Sequence, residues 1–308
     1  MTQPALHSTP SARAVLVEQI RTVALALRIP AIAAAVLLGV ATVLVIGERV
    51  TGGGPVDFAT ELALIPGLVA ALLPVGVWKG EDLFDAAFLW TLPVDRRRHA
   101  LTKVCAGWVW LMAAVAFFIL WFLGLAFFTG GNVLGDQMLR VLPSAVEPTP
   151  GTLDPAALQV VRWSPNAFLW VVPFTAATGA YLLASALALG ARHPLRWIVG
   201  IFFGSLLASA IGSAAHIEWL TLGPARLWAT LHAGPYGLDA LLTARLQSLE
   251  TLVSLSNGDV VGAWRGLPDL GHWAIATVLW ISVGLVSLWA AASRHRERRR
   301  ASRFSRGE

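Results

Sequence analysis

Apolar residues are concentrated in six long runs that are separated by polar segments. Each run has about the length that an α-helix needs to cross the hydrocarbon core of a bilayer, although the first two are near the short limit. The pattern predicts an all-α membrane protein, folded as a single transmembrane domain over residues 1–308. The six predicted transmembrane helices are residues 31–46, 62–77, 104–128, 167–190, 197–215 and 272–292.

A shorter amphipathic segment, residues 11–28, precedes the first span. At 100° per residue its apolar and basic side chains separate onto two sides, which is typical of an interfacial helix that lies on the membrane. We expect Pro30 to separate this helix from the first span, because the residue before a proline avoids the helical conformation. A simple extension of the first span is the alternative. The apolar side carries Val15, Leu16, Ile20, Val23 and Leu27, and the other side carries Arg13, Arg21 and Arg28.

The distribution of Lys and Arg predicts the orientation. With the N-terminus in the cytoplasm, 17 of the 23 basic residues fall on the cytoplasmic side, including those of the tail, residues 293–308. Basic residues near a span resist translocation. We therefore expect a multi-pass protein of the cell (plasma or inner) membrane with both termini cytoplasmic. The six basic residues expected outside are Arg49, Arg140, Arg162, Arg226, Arg245 and Arg265.

Composition supports this class. The chain is 56% apolar and 13% charged, with a mean hydropathy of +0.66, whereas a soluble domain is typically just under half apolar and about a quarter charged. A net charge of +5 would also fit nucleic-acid binding. The basic residues, however, lie at membrane edges, where anionic lipid and topology account for them. We expect contact with membrane lipids and no nucleic-acid partner.

The motifs of several common chemistries are missing from the sequence. There is no phosphate-binding loop, no His-Glu-x-x-His pair and no Gly-x-Ser-x-Gly elbow. No charged residue lies at the centre of a predicted span, where ion-coupled transport or intramembrane catalysis usually needs one. The histidines of the external segments match no metal-ligand spacing. We therefore predict no catalytic, cofactor or metal site in this chain, and do not expect it to be an enzyme.

Two external segments are predicted. Residues 129–165 are rich in proline and are expected to form an ordered loop with one short helix near Met138. Residues 216–271 contain an amphipathic stretch, residues 236–255, in which leucines recur at helical spacing. A helix or helix pair resting on the outer membrane surface and a re-entrant hairpin both fit this stretch.

The fifth span carries small residues at every fourth position. Such a face lets another backbone approach closely, and its partner is either a second subunit or another span of the same chain. The residues are Gly200, Gly204, Ala208 and Gly212.

The largest cytoplasmic loop, residues 78–103, has two parts. Residues 81–90 predict a short amphipathic helix, with Glu81 and Asp82 in the first turn, where the helix dipole favours acidic groups. After a break, Asp95 can cap the helix that continues into the third span. A helix projected into the cytoplasm is suited to receive force from a soluble partner. An ordinary interfacial helix followed by stop-transfer arginines is the alternative.

This loop resembles that of the type-2 ABC-transporter permeases, in which Leu-Pro-[Val/Ile]-[Ser/Asp]-Arg is common. The six-span plan, the N-terminal helix and the long external segment before the last span are also similar to that family. The external segment is longer than in many such exporters. The matching residues are Leu92, Pro93, Val94, Asp95 and Arg96, followed by Arg97, Arg98 and Lys103.

The resemblance implies the permease subunit of an ATP-driven exporter. A second copy or a paralogue would complete a dimer, and separate ATP-binding subunits would hold ATP and Mg²⁺, so that this chain binds no cofactor. The N-terminal helix and the loop around Glu81–Arg98 would dock the ATPase, with Lys103 in the same coupling loop, and the small-residue face from Gly200 to Gly212 would lie near the dimer centre. Two other readings stay open: a non-transporting scaffold or regulator, and an intramembrane lipid-modifying enzyme. The latter would depend on the few central hydroxyls, Thr175, Thr178, Ser185, Ser205 and Ser209.

Overall fold

A computed structural model of the protein describes residues 12–58, 60–78, 96–134, 136–142, 153–164, 166–191, 193–234, 236–244, 250–267 and 269–304. A helix lies at each predicted span, and two shorter helices follow the fifth. The helices of the described ranges are α1 (Ala12–Val50), α2 (Leu64–Val77), α3 (Arg96–Thr129), α4 (Val172–Gly190), α5 (Pro194–Ala214), α6 (Glu218–Ala233), α7 (Leu238–Thr243) and α8 (Leu270–Phe304).

Five of these helices, α1, α3, α4, α5 and α8, are long and apolar enough to cross a membrane. The length and the composition of these helices indicate a helical membrane protein. Helix α2 is also apolar but has only 14 residues. At 1.5 Å per residue it extends about 21 Å, short of the roughly 30 Å hydrocarbon core. The structure thus supports five spans of full length, and the sixth predicted span is a shorter helix.

Helix α1 differs from its prediction, because it continues through Pro30 without a break. The predicted break between a surface helix and the first span is therefore wrong. Proline removes one hydrogen bond of a helix and favours a bend. The charge separation is present, since Val23 is buried and the three arginines before Pro30 are exposed.

Two tryptophans of α3 hold α1 on both sides of Pro30. Trp110 Nε1 donates to the carbonyl of Ile20, and Trp121 Nε1 donates to Thr42 Oγ1, each at 2.9 Å. Helix α1 is thus fastened to α3 along much of its length.

The chain is not all-α, because the two segments predicted to be external form one four-stranded sheet. Its strands are β1 (Gln137–Val141), β2 (Gln159–Trp163), β3 (Glu250–Ser254) and β4 (Val260–Trp264), in the order β2-β1-β4-β3. Strands β1 and β2 pair antiparallel, as do β3 and β4. The parallel contact of β1 with β4 joins the hairpins through Val141 and Trp264. The short helix predicted near Met138 is wrong, since Met138 lies in β1. The helix predicted over residues 236–255 is limited to α7, and β3 follows it.

The main bundle consists of α1, α2, α3, α4, α7 and α8. Its largest fully buried side chain is Tyr181 of α4, whose hydroxyl donates to the carbonyl of Val104 on α3 at 3.0 Å. A Cβ at Gly107 would lie 2.2 Å from that hydroxyl, so only glycine fits there. We call the end where α1 and α3 finish and α2, α4 and α8 begin the sheet end. The opposite end, where α3 begins at Arg96, is the basic end.

Candidate functional site

The middle of the predicted coupling loop lies outside the described residues. This part, residues 79–95, includes Glu81, Asp82, Leu92, Pro93, Val94 and Asp95. The structure does describe both flanks of the loop, where it leaves α2 and enters α3. The geometry of these flanks determines which helices a force on the loop would reach.

Trp78 and Lys103 bring the two flanks together. Trp78 directly follows α2, and its backbone N–H donates to the carbonyl of Pro74 at 2.9 Å. Lys103 lies in the second turn of α3, with its Nζ 4.9 Å from the centre of the Trp78 ring. Both residues are buried, with 7% and 3% of their surface exposed. A cation over an indole face is attractive, and more so when water is excluded. The end of α2 is thus held against the start of α3.

Arg97 extends this arrangement to the last helix. Its guanidinium lies 5.1 Å from the centre of the Trp289 ring on α8. Arg96 is the first residue of α3, and Arg98 is exposed. Of the predicted site residues that the structure describes, Arg97 and Lys103 therefore join three helices at the basic end.

The predicted small-residue face of α5 is divided by the structure. Gly212 packs against α6, where a Cβ would lie 2.5 Å from the backbone nitrogen of Thr221. Ala208 is partly buried. Gly200 and Gly204, by contrast, face open space, with nothing within 4 Å of an added Cβ. One end of the face is therefore used within the chain, and the other end is uncovered by it.

The central hydroxyl groups take part in contacts within and between helices. Trp108 Nε1 donates to Thr178 Oγ1 at 3.1 Å, which joins α3 to α4. Ser209 Oγ donates to the carbonyl of Thr221 at 3.0 Å, and Trp228 Nε1 donates to Ser205 Oγ at 3.3 Å, so that α6 runs back along α5. Thr175 donates to a carbonyl of its own helix. Ser185 is buried in α4.

The sequence reasoning missed the position of α7. We treated residues 216–271 as external, whereas α6 returns beside α5 and α7 enters the main bundle. There Leu241 packs against Gly179 of α4, and Leu242 packs against Gly67 of α2. Asp239 is 4% exposed, and its Oδ1 accepts a bond from Thr243 Oγ1 at 3.2 Å. Helix α7 thus lies against helices α2 and α4 of the main bundle. The missed signal was Asp239, an acidic residue within the leucine-rich stretch. The glycines that α7 contacts, Gly67 and Gly179, are distant from it in sequence.

Two carboxylates at the sheet end have lowered pKa values. Hydrogen bonds from Ser164 and Arg162 lower the pKa of Asp136, which precedes β1. The backbone N–H of Gly271 and the ring of His272, each 2.9 Å away, lower the pKa of Asp269. These groups anchor a hairpin and the first turn of α8. Within the described ranges, no three His, Cys, Asp or Glu side chains are gathered where they could hold a metal ion.

No family model matches this chain, and comparisons with curated proteins and with solved structures give no match. The basic end joins α2, α3 and α8 around the flanks of the loop that carries the Leu-Pro motif. The sheet end holds a short helix inside the bundle.

Proposed function

We propose that this chain is the membrane-spanning permease subunit of an ATP-driven ABC exporter, energised by a separate ATP-binding subunit. The observation that carries the proposal is the pair of cation–ring contacts at the flanks of residues 79–95, a buried one of Lys103 with Trp78 and a more exposed one of Arg97 with Trp289. The Leu92-Pro93 motif lies between these flanks.

The flanks explain how a partner could act on the spans. A partner that binds the loop displaces α2 and α3 together, because Trp78 and Lys103 are in contact. Arg97 transmits the same displacement to α8. ATP shifts such a two-state protein only by its differential affinity for the two states. A loop fixed to three helices converts that difference into a rearrangement of the bundle.

The proposal includes a second copy or paralogue, which would cover the free part of α5. Helix α5 packs extensively on α6 alone among the described elements. Gly200 and Gly204 leave a smooth surface there, which suits close approach of another helix. In this arrangement the termini and residues 79–95 are cytoplasmic, and the sheet is external.

Copurification tests the proposal. The tagged protein, gently solubilised from its native host, is expected to bring down a Walker-motif ATPase in stoichiometric amount. The double variant Leu92→Asp/Pro93→Ala is expected to lose it. A folded, monodisperse preparation without any ATPase would contradict the proposal and favour the scaffold reading.

Matched charge variants test the role of the flanks. Lys103→Met and Arg97→Met keep an unbranched apolar chain but remove the cation, so the loop loses its fixed ends and ATPase recovery should fall several-fold. Arg140→Met, on β1 at the sheet end, removes the same charge and should leave recovery unchanged. Equal recovery in all three variants would show that the flanks do not support docking.

A further inference from the structure

A groove runs between α4 and α8 along the half of α4 that is nearest the basic end. Its volume is about 400 Å³, within the range of roughly 300–1,000 Å³ that is usual for ligand pockets. The side chains that line it are apolar apart from Ser287. They include Leu183, Ala186 and Leu187 on α4, with Ser287, Ala290 and Ala291 on α8.

The groove exists because α4 and α8 touch closely at two levels. A Cβ added to Gly284 of α8 would lie 2.8 Å from the Cβ of Leu182, and one added to Gly190 of α4 would lie 3.6 Å from the Cβ of Ala291. Gly284 and Ala291 are about 10 Å apart along α8. Between these contacts the side chains are short, so the surfaces of the two helices leave a gap.

The groove has a buried floor and an exposed rim. Ala186 and Ala291 are 8% and 6% exposed, whereas Leu187 is 37% exposed. Helix α5 follows α4 in the chain but packs mainly on α6, without extensive contact to α4 or α8. The groove therefore opens sideways from the main bundle, toward the place that acyl chains occupy around a membrane helix.

The charge beyond the groove is strongly positive. Helix α8 continues past the groove to Phe304, and residues 294–300 contain five arginines and one glutamate. At 100° per residue, Arg294 and Arg298 fall on the side of α8 that carries Ser287 and Ala291. They lie about 5 and 10 Å beyond Ala291 along the helix axis. Arg196, in the first turn of α5, is also exposed at this end.

We propose that this groove binds an anionic phospholipid. One acyl chain lies between α4 and α8, and the phosphate lies beyond Ala291, at the level of Arg294 and Arg298. Short side chains let an acyl chain pack closely by van der Waals contact. Basic pockets between membrane helices bind anionic headgroups on the cytoplasmic side. The site goes beyond the proposed function, because it needs neither an ATP-binding subunit nor transport.

Native mass spectrometry of the protein in mild detergent tests the headgroup. Phosphatidylglycerol and phosphatidylcholine with identical acyl chains are the probes, and phosphatidylglycerol is expected to bind at least about fivefold more tightly. The double variant Arg294→Gln/Arg298→Gln should lose this preference. Arg296→Gln/Arg299→Gln removes the same charge from the other side of α8 and should keep it. Equal binding of the two lipids, or equal loss in both variants, would overturn the site.

Filling the groove tests the acyl chain. Ala290→Leu occupies part of the space between α4 and α8 and is expected to weaken binding of both lipids several-fold. Ser287→Leu is the second variant, with the same expected result, should Ala290→Leu fail to fold. Ala33→Leu, at an exposed alanine of α1, adds the same side chain outside the groove and should bind as before. Unchanged binding in the folded groove variants would overturn the proposal.

Two other occupants give different results in the same experiment. Glycerol 3-phosphate carries the phosphate without an acyl chain, so it should not displace phosphatidylglycerol at millimolar concentration. Displacement would show a site for soluble phosphate compounds and overturn the lipid site. A loss of dimer in Ala290→Leu without a loss of lipid would assign the groove to a second copy of the chain. The absence of an ATPase would contradict the proposed function and leave this comparison intact.

Discussion

Helices α4 and α5 have similar hydropathy but different surroundings. Their apolar stretches have mean hydropathies of 1.5 and 1.8, yet 50% of the α4 stretch is buried inside the protein against 6% of the α5 stretch. Helix α4 packs on α2, α7 and α8, whereas α5 packs on α6. Hydropathy therefore indicates that a helix enters a membrane but does not indicate whether protein or lipid surrounds it.

The glycines of the two regions show the same difference. In the main bundle, Gly107 and Gly179 lie where another side chain occupies the space of a Cβ. In α5, Gly200 and Gly204 have no neighbour within this chain. A glycine in a membrane helix is therefore informative only when its contact is known, and the two open positions mark the surface that we assign to a second subunit.

The largest expected effect is at Gly107. Gly107→Leu forces a side chain into the position of the Tyr181 hydroxyl and breaks its bond to Val104. Overpacking a tight core destabilises by roughly 1–3 kcal/mol, and a lost buried hydrogen bond adds about 1 kcal/mol. A marked drop in thermal stability in detergent is expected.

Gly204→Leu on α5 is the matched control, with an expected change of less than about 0.5 kcal/mol in the stability of the monomer. Equal losses of thermal stability in the two variants would show that the main bundle and the α5–α6 pair do not differ in packing.

Self-association is the second test of the contrast. Gly204→Leu is expected to weaken dimer formation at least about tenfold, since a leucine at a close-approach position separates the backbones. Light scattering or single-molecule colocalisation in nanodiscs measures the fraction of dimer. Gly39→Leu on α1, whose added side chain also meets nothing within 4 Å, is the control. An unaffected dimer would place lipid, not a second copy, against Gly204.

Much of the fold could be predicted from apolar runs alone. Insertion into a bilayer depends on the local composition of about twenty residues, so helices were found at each predicted position. The break at Pro30 was not found: α1 is continuous and is held to α3 on both sides of the proline, by Trp110 at Ile20 and by Trp121 at Thr42.

The structure of the two segments predicted to be external was harder to predict, because it depends on pairing between residues that are distant in sequence. Leucines at 238, 241 and 242 do belong to a helix, but Ala244 adopts a left-handed conformation that ends it. Leu252 of the same stretch lies in β3, where antiparallel pairing with β4 specifies a strand. For the candidate site, the sequence indicated Arg97 and Lys103. The aromatic partner of Arg97, Trp289, lies almost two hundred residues away and has no local signal.

The contact between α5 and α6 offers a smaller test of the same contrast. Trp228→Phe removes the 3.3 Å bond to Ser205 that holds α6 against α5. A single hydrogen bond contributes about 1 kcal/mol, so amide exchange in α6 should become severalfold faster while α4 stays unchanged. Trp219→Phe, an exposed tryptophan of the same helix, is the control. Equal acceleration of amide exchange in α4 would mean that the α5–α6 pair and the main bundle unfold as one unit.

The smallest expected effect concerns pH and the first turn of α8. Asp269 accepts the backbone N–H of Gly271, which with His272 lowers the pKa of its carboxyl group. A lowered folded-state pKa gives stability that is present above the usual value of about 4 and is lost as the pH falls through the lowered value. After correction for intrinsic rates, amide exchange over residues 270–274 should therefore rise on acidification to about pH 3, while α5 and α6 serve as the internal reference. Asp269→Asn keeps an acceptor oxygen but has no charge to lose, so its exchange should not depend on pH in this range. A pH response retained in this variant would assign the effect to another group. A response of equal size in α5 and α6 would show general unfolding and not local loosening of the first turn of α8.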